Sequence, residues 1–221
     1  MTSTKGQPAD ALVVVSHPDP GSLNHALSQV VLEAWRARGH EAVLLDLHQS
    51  SFNPILDLDE ARGRASSDAQ IQAHIRQLQQ ARLLAVVHPN CWGAPPAMMK
   101  GWMDRVFAPG AAYAFPKGED EGLAPVGLFS GKRALVINTS NTTAERERDA
   151  FGDPLERIWR DCLLGYCGFA EVQRLVFRVV ATSTPAERDA WMQTAAAAAI
   201  RLGEPVREQA AAPLGTSLPQ Q

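Results

Sequence analysis

The chain has 221 residues, enough for one domain with a full core, and its 45% hydrophobic and 20% charged content is ordinary for a globular protein. Its net charge of -3 offers no basic surface to nucleic acid or to an anionic membrane, and no apolar run approaches the roughly 20 residues that span a bilayer. Three cysteines without a CxxC pair and six histidines without metal-ligand spacing argue against disulfides and a metal site. Because the polar start also lacks a secretory signal, we expect a cytoplasmic protein.

Strand and helix patterns alternate along the chain. Apolar runs predict strands at residues 11–15, 42–47, 83–88, 134–138 and 172–179. Amphipathic or capped stretches predict helices from Ser22 to about Gly39, around residues 71–78, after Pro95, at about 154–164 and at 185–202. Right-handed crossovers between such strands predict an α/β fold with a doubly wound, five-stranded parallel sheet and helices on both faces.

The composition also suggests where the ordered domain ends. We expect a short N-terminal extension at residues 1–10, one domain at 11–203 and a disordered Ala-, Pro- and Gln-rich tail at 204–221. A Gly-rich and acidic stretch at 117–130 is predicted to be a surface loop.

Three loops follow predicted strands at the carboxyl edge of the sheet, where open parallel sheets bind ligands. They are residues 16–24, 89–94 and 139–143. The first leads into a helix N-terminus, which favours a phosphate, and His17 and Ser22 add polar groups. An equally good interpretation is that Ser22 only caps the helix and that His17 only completes the turn.

The second loop, which begins after His88, combines turn residues with Trp92 and is suited to lie along a flat conjugated ring. Aromatic residues in loops more often pack than bind ligands, so a structural role for Trp92 remains open. We interpret His88 as a strand-end residue and Cys91 as a small packing residue, since no nucleophile arrangement accompanies that thiol. The third loop adds hydroxyls and amides, which are also ordinary turn chemistry.

Several motifs occur in the order found in a known family. They are HPDPGSLNHAL (17–27), DLHQSSFNPIL (46–56), the most specific stretch HPNCWGAPPAMMKGWMDRVFAPGAAYAF (88–115), and weaker matches at 131–139, 152–159 and 165–169. Over roughly residues 11–188 the chain resembles the NAD(P)H:quinone oxidoreductases of the DT-diaphorase and bacterial quinone reductase type, which have a flavodoxin-like fold.

The resemblance implies a cytoplasmic homodimer with a tightly bound flavin, FAD or alternatively FMN. Hydride from NAD(P)H would pass through the flavin to a quinone or similar acceptor, with substrate pockets at the dimer interface near the 100–107 helix. The implied cofactor-binding residues are His17, Ser22, Leu23 and Asn24 at the phosphates, Pro89, Asn90, Cys91, Trp92 and Gly93 beside the isoalloxazine, and Thr139, Ser140 and Asn141 at its pyrimidine edge.

The third loop departs from the family pattern. Thr139-Ser140-Asn141 replaces a Thr-Gly-Gly run, and Glu145 and Phe151 stand roughly where the family has a Tyr and a His. The catalytic residues are therefore not transferable. An arginine at 146 or 148 could offset charge on the flavin, although a solvated charge run is the simpler interpretation.

Other functions remain as alternatives. The missing Tyr and His leave room for a regulatory flavoprotein that senses the redox state of a partner such as a transporter. The strand-HPD sequence at His17 also suggests a metal-dependent deacetylase, which would need further ligands, and an interaction module would leave the three loops unexplained.

Overall fold

The computed structural model of the chain describes residues 9–116 and 125–205. Seven strands are present: β1 (Ala11–Val15), β2 (Ala42–Asp46), β3 (Leu83–Pro89), β4 (Tyr113–Ala114), β5 (Val126–Gly127), β6 (Arg133–Ser140) and β7 (Glu171–Arg178). The α-helices are α1 (Leu23–Arg36), α2 (Leu58–Ala61), α3 (Ala69–Gln80), α4 (Ala97–Val106), α5 (Ala144–Ala150), α6 (Pro154–Glu156) and α7 (Pro185–Gly203). A π-helix (Arg157–Gly165) continues α6, and a 3-10 turn (Val180–Thr182) precedes α7.

Five strands form a parallel sheet in the order β2-β1-β3-β6-β7. The chain adds β2 on one side of β1 and β3 on the other, so the winding direction reverses between β1 and β3. This reversal creates a crevice at the carboxyl ends of those two strands. The predicted doubly wound parallel sheet is therefore confirmed.

The sheet is buried on both faces, which explains the continuous apolar runs of its central strands. Alternate residues such as Leu12 and Val14 pack with α3, α4 and the π-helix, and the intervening Val13 and Val15 pack with α1 and α7. Local signals delimit the helices as expected. Ser22 caps α1, and Gly39 follows α1 with a left-handed φ of 85°.

The sequence did not predict every element. The helix expected at about 154–164 is mainly a π-helix, and α2, α5 and the short antiparallel β4–β5 hairpin were not foreseen. Residues 126–127 of the predicted 117–130 loop pair with β4, while 117–124 lie outside the described residues. Most of the N-terminal extension and of the tail, 1–8 and 206–221, also lies outside them.

A buried ion pair fixes the segment before α3 against α4. The Arg105 guanidinium donates to both carboxylate oxygens of Glu60 at 2.8 Å and to the Asn53 carbonyl at 2.7 Å. Close to it, a Cβ on Gly101 would lie 2.2 Å from the Pro54 carbonyl oxygen, so only glycine permits this crossing. The second loop therefore leads into a firmly anchored helix.

Candidate active site

Hydrogen bonds join the three predicted loops at the carboxyl edge of the sheet. The Asn24 amide of the first loop and the Thr139 hydroxyl of the third are buried and lie 3.1–3.2 Å apart. The Asn90 N–H of the second loop donates to the Thr139 carbonyl at 2.7 Å. The structure thus brings together the loops that the sequence assigned to one site, with Thr139 as their common partner.

The first loop presents unpaired backbone donors. Within the described residues, the Leu23 and Asn24 N–H groups, at the first positions of α1, make no hydrogen bond. Such groups, at the positive end of a helix dipole, are suited to bind an anion. His17 accepts the Asp19 N–H at 3.1 Å and Ser22 accepts the His25 N–H at 3.4 Å, so both also have the structural roles that the sequence left open.

A polar chain runs from Ser22 into the protein. The Ser22 hydroxyl lies 2.9 Å from His25 Nδ1, and His25 Nε2 lies 2.7 Å from a carboxylate oxygen of Asp46. The other Asp46 oxygen accepts the His48 and Gln49 N–H groups at 3.0 and 3.1 Å. The carboxylate is therefore held in place at the end of β2.

Trp92 projects from the second loop. Its side chain is fully exposed and its φ is 59°, a left-handed conformation that is uncommon for a bulky residue. Gly93 follows with φ 76°, and its N–H donates to the Asn90 side chain at 2.8 Å. Trp92 is therefore not a core residue of this chain, and the turn presents its indole ring to the outside.

Cys91 closes the same turn. Its backbone N–H and carbonyl pair with those of Ala94 at 2.9 and 3.0 Å. Burial raises the pKa of its thiol, which disfavours the nucleophilic thiolate. These observations agree with the packing role expected for Cys91.

The side chains of the third loop serve the fold. Thr139 is paired with Asn24, the Ser140 hydroxyl accepts the Thr142 N–H at 3.1 Å, and the Asn141 side chain accepts the Ala181 N–H at 2.8 Å. Any contact of this loop with a ligand would therefore be expected mainly through backbone groups.

An unpredicted carboxylate clamps the second loop to α5. Glu147 is buried, and it accepts the Asn90 amide at 3.0 Å on one oxygen and the Arg178 guanidinium on the other. Arg146 stacks on Phe151 and Arg148 pairs with Asp149, both exposed, so they form the solvated charge run that the sequence favoured. Glu147 belongs to the same run of charged residues. The fold shows that, unlike its exposed neighbours in the run, it points inward.

A second unpredicted network lies at the end of β3. His88 is fully buried, and its Nδ1 donates to the Pro89 carbonyl at 2.8 Å. Its Nε2 accepts the Trp159 indole N–H at 2.9 Å and lies 3.0 Å from the Asn138 amide nitrogen. Burial lowers the His88 pKa to about 4, so the ring is neutral near pH 7. His88 thus lies at the end of β3, as expected, and its hydrogen bonds give it a structural role there.

A cavity of about 510 Å³ lies beside the second loop, between α4 and the π-helix. Its lining is mostly apolar and includes Ala94 and Pro95, which directly follow the Trp92 turn. Tyr113 and Tyr166, whose rings meet edge to face at 5.1 Å, also line it. Its size suits a small aromatic molecule.

The residues present fit a flavin. Free N–H groups at the start of α1 suit its phosphate, and the exposed indole of Trp92 offers an aromatic face at the crevice edge. The described residues contain no group of three or more His, Cys, Asp or Glu side chains suited to a metal ion, so nothing in them favours the deacetylase alternative. No helix in the described ranges has the length and hydropathy needed to cross a bilayer.

Comparison with known proteins places the chain in a family. The family described as having a flavodoxin-like fold matches residues 9–202. NAD(P)H dehydrogenase [quinone] 1 of Rattus norvegicus is 26% identical over 193 residues, which cover 76% of this chain and 69% of the rat protein.

Two solved structures share the fold. The NAD(P)H:quinone oxidoreductase of Methanothermobacter marburgensis has a TM-score of 0.72 and 22% identity, with coverage of 90% of this chain and 98% of the other. An FMN-dependent NADH-azoreductase of Bacillus anthracis, in complex with FMN, has a TM-score of 0.69 and 18% identity, with coverage of 88% and 99%. None of these three names refers to a regulatory subunit, so that alternative gains no support. The chain therefore belongs to the family with a flavodoxin-like fold, and its relatives include NAD(P)H dehydrogenases [quinone].

Proposed function

We propose that the chain is a flavin-dependent NAD(P)H oxidoreductase that passes two electrons to a quinone or a similar aromatic acceptor. The observation that carries this proposal is the convergence of the three loops on Thr139, which sets the α1 N-terminus and Trp92 at one edge of the sheet. When bound, the flavin would supply the hydride chemistry. The proposed flavin-binding unit is residues 11–203.

The protein would contribute binding and orientation. Leu23 and Asn24 would hold a phosphate through their N–H groups, with Ser22 and His17 beside it. The Pro89–Gly93 turn would lie along the ring, and the backbone at Thr139–Asn141 would approach its polar edge. No protein nucleophile is needed, because positioning two ring systems in a dry stack itself lowers the barrier.

We expect FAD to be the flavin, as the motif resemblance implies. FMN is the alternative, because the phosphate nearest the ring is common to both. The apolar cavity beside the Trp92 turn would take the nicotinamide and then the acceptor. Ala94 and Pro95, which directly follow the turn, line this cavity and so place it beside the proposed ring site.

Steady-state kinetics test this function. The protein reconstituted with FAD or FMN should oxidise NADH or NADPH only when a soluble benzoquinone is present. Because nucleotide and acceptor would use the same space in turn, double-reciprocal plots should give the parallel lines of a ping-pong mechanism. Trp92→Ala should reduce kcat/KM about fivefold, because it removes a stacking contact worth about 1 kcal/mol. A flavin-loaded protein that reduces no quinone, nitroaromatic or azo compound would refute the enzymatic assignment.

We also propose a homodimer that covers an apolar face around α4. Ile55 and Leu58, on the segment anchored across α4, are exposed, as are Phe115 and Val126 beside the Tyr113 hairpin. Exposed apolar side chains of this kind often mark an interface, and Tyr113 of the same hairpin lines the cavity. A second copy placed there would close the cavity and complete the acceptor site.

Sedimentation equilibrium tests the dimer. The unmodified protein should have twice the monomer mass, whereas Ile55→Glu with Phe115→Arg should give monomers that keep bound flavin and lose most of their quinone reduction. Glu33→Arg, a charge reversal on the solvent side of α1, should leave the mass unchanged. A monomeric unmodified protein with full activity would contradict the proposal.

A further inference from the structure

We infer that His25 is a positioning residue that couples flavin phosphate binding to the uptake of one proton, and this inference rests on the proposed function. His25 does not belong to the cofactor contacts implied by the sequence. It lies in the first turn of α1, its side chain is 11% exposed, and it connects Ser22 to the Asp46 carboxylate.

The hydrogen bonds define the proton positions. An ionised carboxylate has no proton to donate, so Asp46 can only accept a hydrogen bond. The proton in its contact with His25 therefore belongs to His25 Nε2. In the neutral ring, Nδ1 then carries no proton and acts as an acceptor. The Ser22 hydroxyl must therefore donate its proton to Nδ1, 2.9 Å away. Ser22 consequently has no donor left for a phosphate.

Protonation of His25 reverses this contact. Nδ1–H then donates to the Ser22 oxygen, and the single hydroxyl proton of Ser22 becomes free to point toward the anion at the start of α1. The imidazolium also adds a positive charge one hydrogen bond away from that anion. Both changes favour the bound phosphate, so phosphate binding and protonation of His25 should strengthen each other.

The neighbours of His25 support this coupling. Asp46 on β2 supplies the counter-charge for the imidazolium, and the His17 ring of the first loop meets the His25 ring edge to face at 6.4 Å. The Ser28 hydroxyl donates to the His25 carbonyl and does not reach the ring. His17 is thus a second histidine at this site, so the test of His25 is made in a variant that lacks His17.

The sign of the effect follows directly. Affinity for FAD should be highest where His25 is protonated and should fall as the pH rises. The pyrophosphate of FAD keeps a constant charge over this range, whereas the terminal phosphate of FMN gains charge near pH 6 and would oppose the effect. Riboflavin has the same ring and no phosphate, so its affinity should not show this dependence.

Binding titrations in a His17→Gln background isolate His25. From about pH 5.5 to about pH 8.5, FAD affinity should fall by about tenfold, the effect of one logarithmic unit in a protonation equilibrium. Addition of His25→Gln should remove this fall, whereas Ser22→Ala should reduce it to the part that comes from the imidazolium charge. His40→Gln, which alters the corresponding 2.9 Å pair with Asp10 at the opposite edge of the sheet, should leave it intact.

Nitrogen NMR of the unmodified protein gives a readout that needs no variant. Neutral His25 should carry its proton on Nε2, and addition of FAD at constant pH should raise the protonated fraction of His25.

Flavin binding without a pH dependence, a dependence that survives His25→Gln, or an equal dependence for riboflavin would overturn the inference and leave the proposed function intact. Failure of FAD, FMN and riboflavin to bind at any pH would refute both.

Discussion

Glu147→Ala is expected to lower the free energy of unfolding by about 3 kcal/mol, because it leaves a largely buried arginine without its carboxylate. Arg178 retains limited exposure and has Asp153 at 3.9 Å, which places the expected loss at the lower end of the range for broken buried pairs. The Asn90 amide also loses its acceptor, so the second loop loses its contact with α5. We therefore expect flavin affinity to fall on the order of tenfold through lost preorganisation.

Glu145→Ala is the matched control, since Glu145 lies two residues earlier in α5 and is exposed. This variant should lower the free energy of unfolding by no more than about 1 kcal/mol, the usual effect of a surface charge near a helix N-terminus. Urea unfolding and flavin titration give the two readouts. Adding Arg178→Ala to Glu147→Ala should recover part of the lost stability, because no unpaired charge then remains. Equal behaviour of the Glu145 and Glu147 variants would show that the clamp has no energetic role.

Acidification is expected to remove about 3 kcal/mol of stability through His88 alone. The ordinary pKa of histidine is 6.5, and burial lowers that of His88 to about 4. Below pH 6.5 the unfolded chain therefore binds a proton at this residue that the folded protein does not. The stabilising effect is complete above pH 6.5 and is lost as the pH falls toward 4.

Denaturation curves at pH 7 and at pH 4, compared with those of His88→Gln, isolate this contribution from the other titrating groups. The glutamine side chain can still accept from Trp159 but does not titrate, so the variant should lose about 3 kcal/mol less than the unmodified protein over this range. Parallel losses in the two proteins would contradict a neutral, buried His88.

The fold was predictable because its strands are apolar on both faces and its helices carry local stop and start signals. Leu83–Val87 reads as a buried strand from composition alone, and Ser22 and Gly39 mark the limits of the α1 region. The π-helix was not predictable, since a widened hydrogen-bond pattern has no clear periodicity signal over nine residues.

The location of the site followed from topology, but most of its internal contacts did not. The rule for open parallel sheets selects the three loops without any knowledge of side chains. In contrast, Glu147 is one of several charged residues in a row, and Asp46 is separated from His25 by 21 positions. Only Ser22 and His25, three residues apart at a helix start, carried a signal that could have been used.

We expect the loops after β1, β3 and β6 to bind a flavin together. The most direct test is the visible absorption spectrum of the protein after incubation with FAD or FMN and removal of free cofactor. We predict a yellow protein with one flavin per chain, whose absorption bands shift from those of free flavin and respond to Trp92→Ala. A protein that remains colourless with both flavins would contradict flavin binding at these loops.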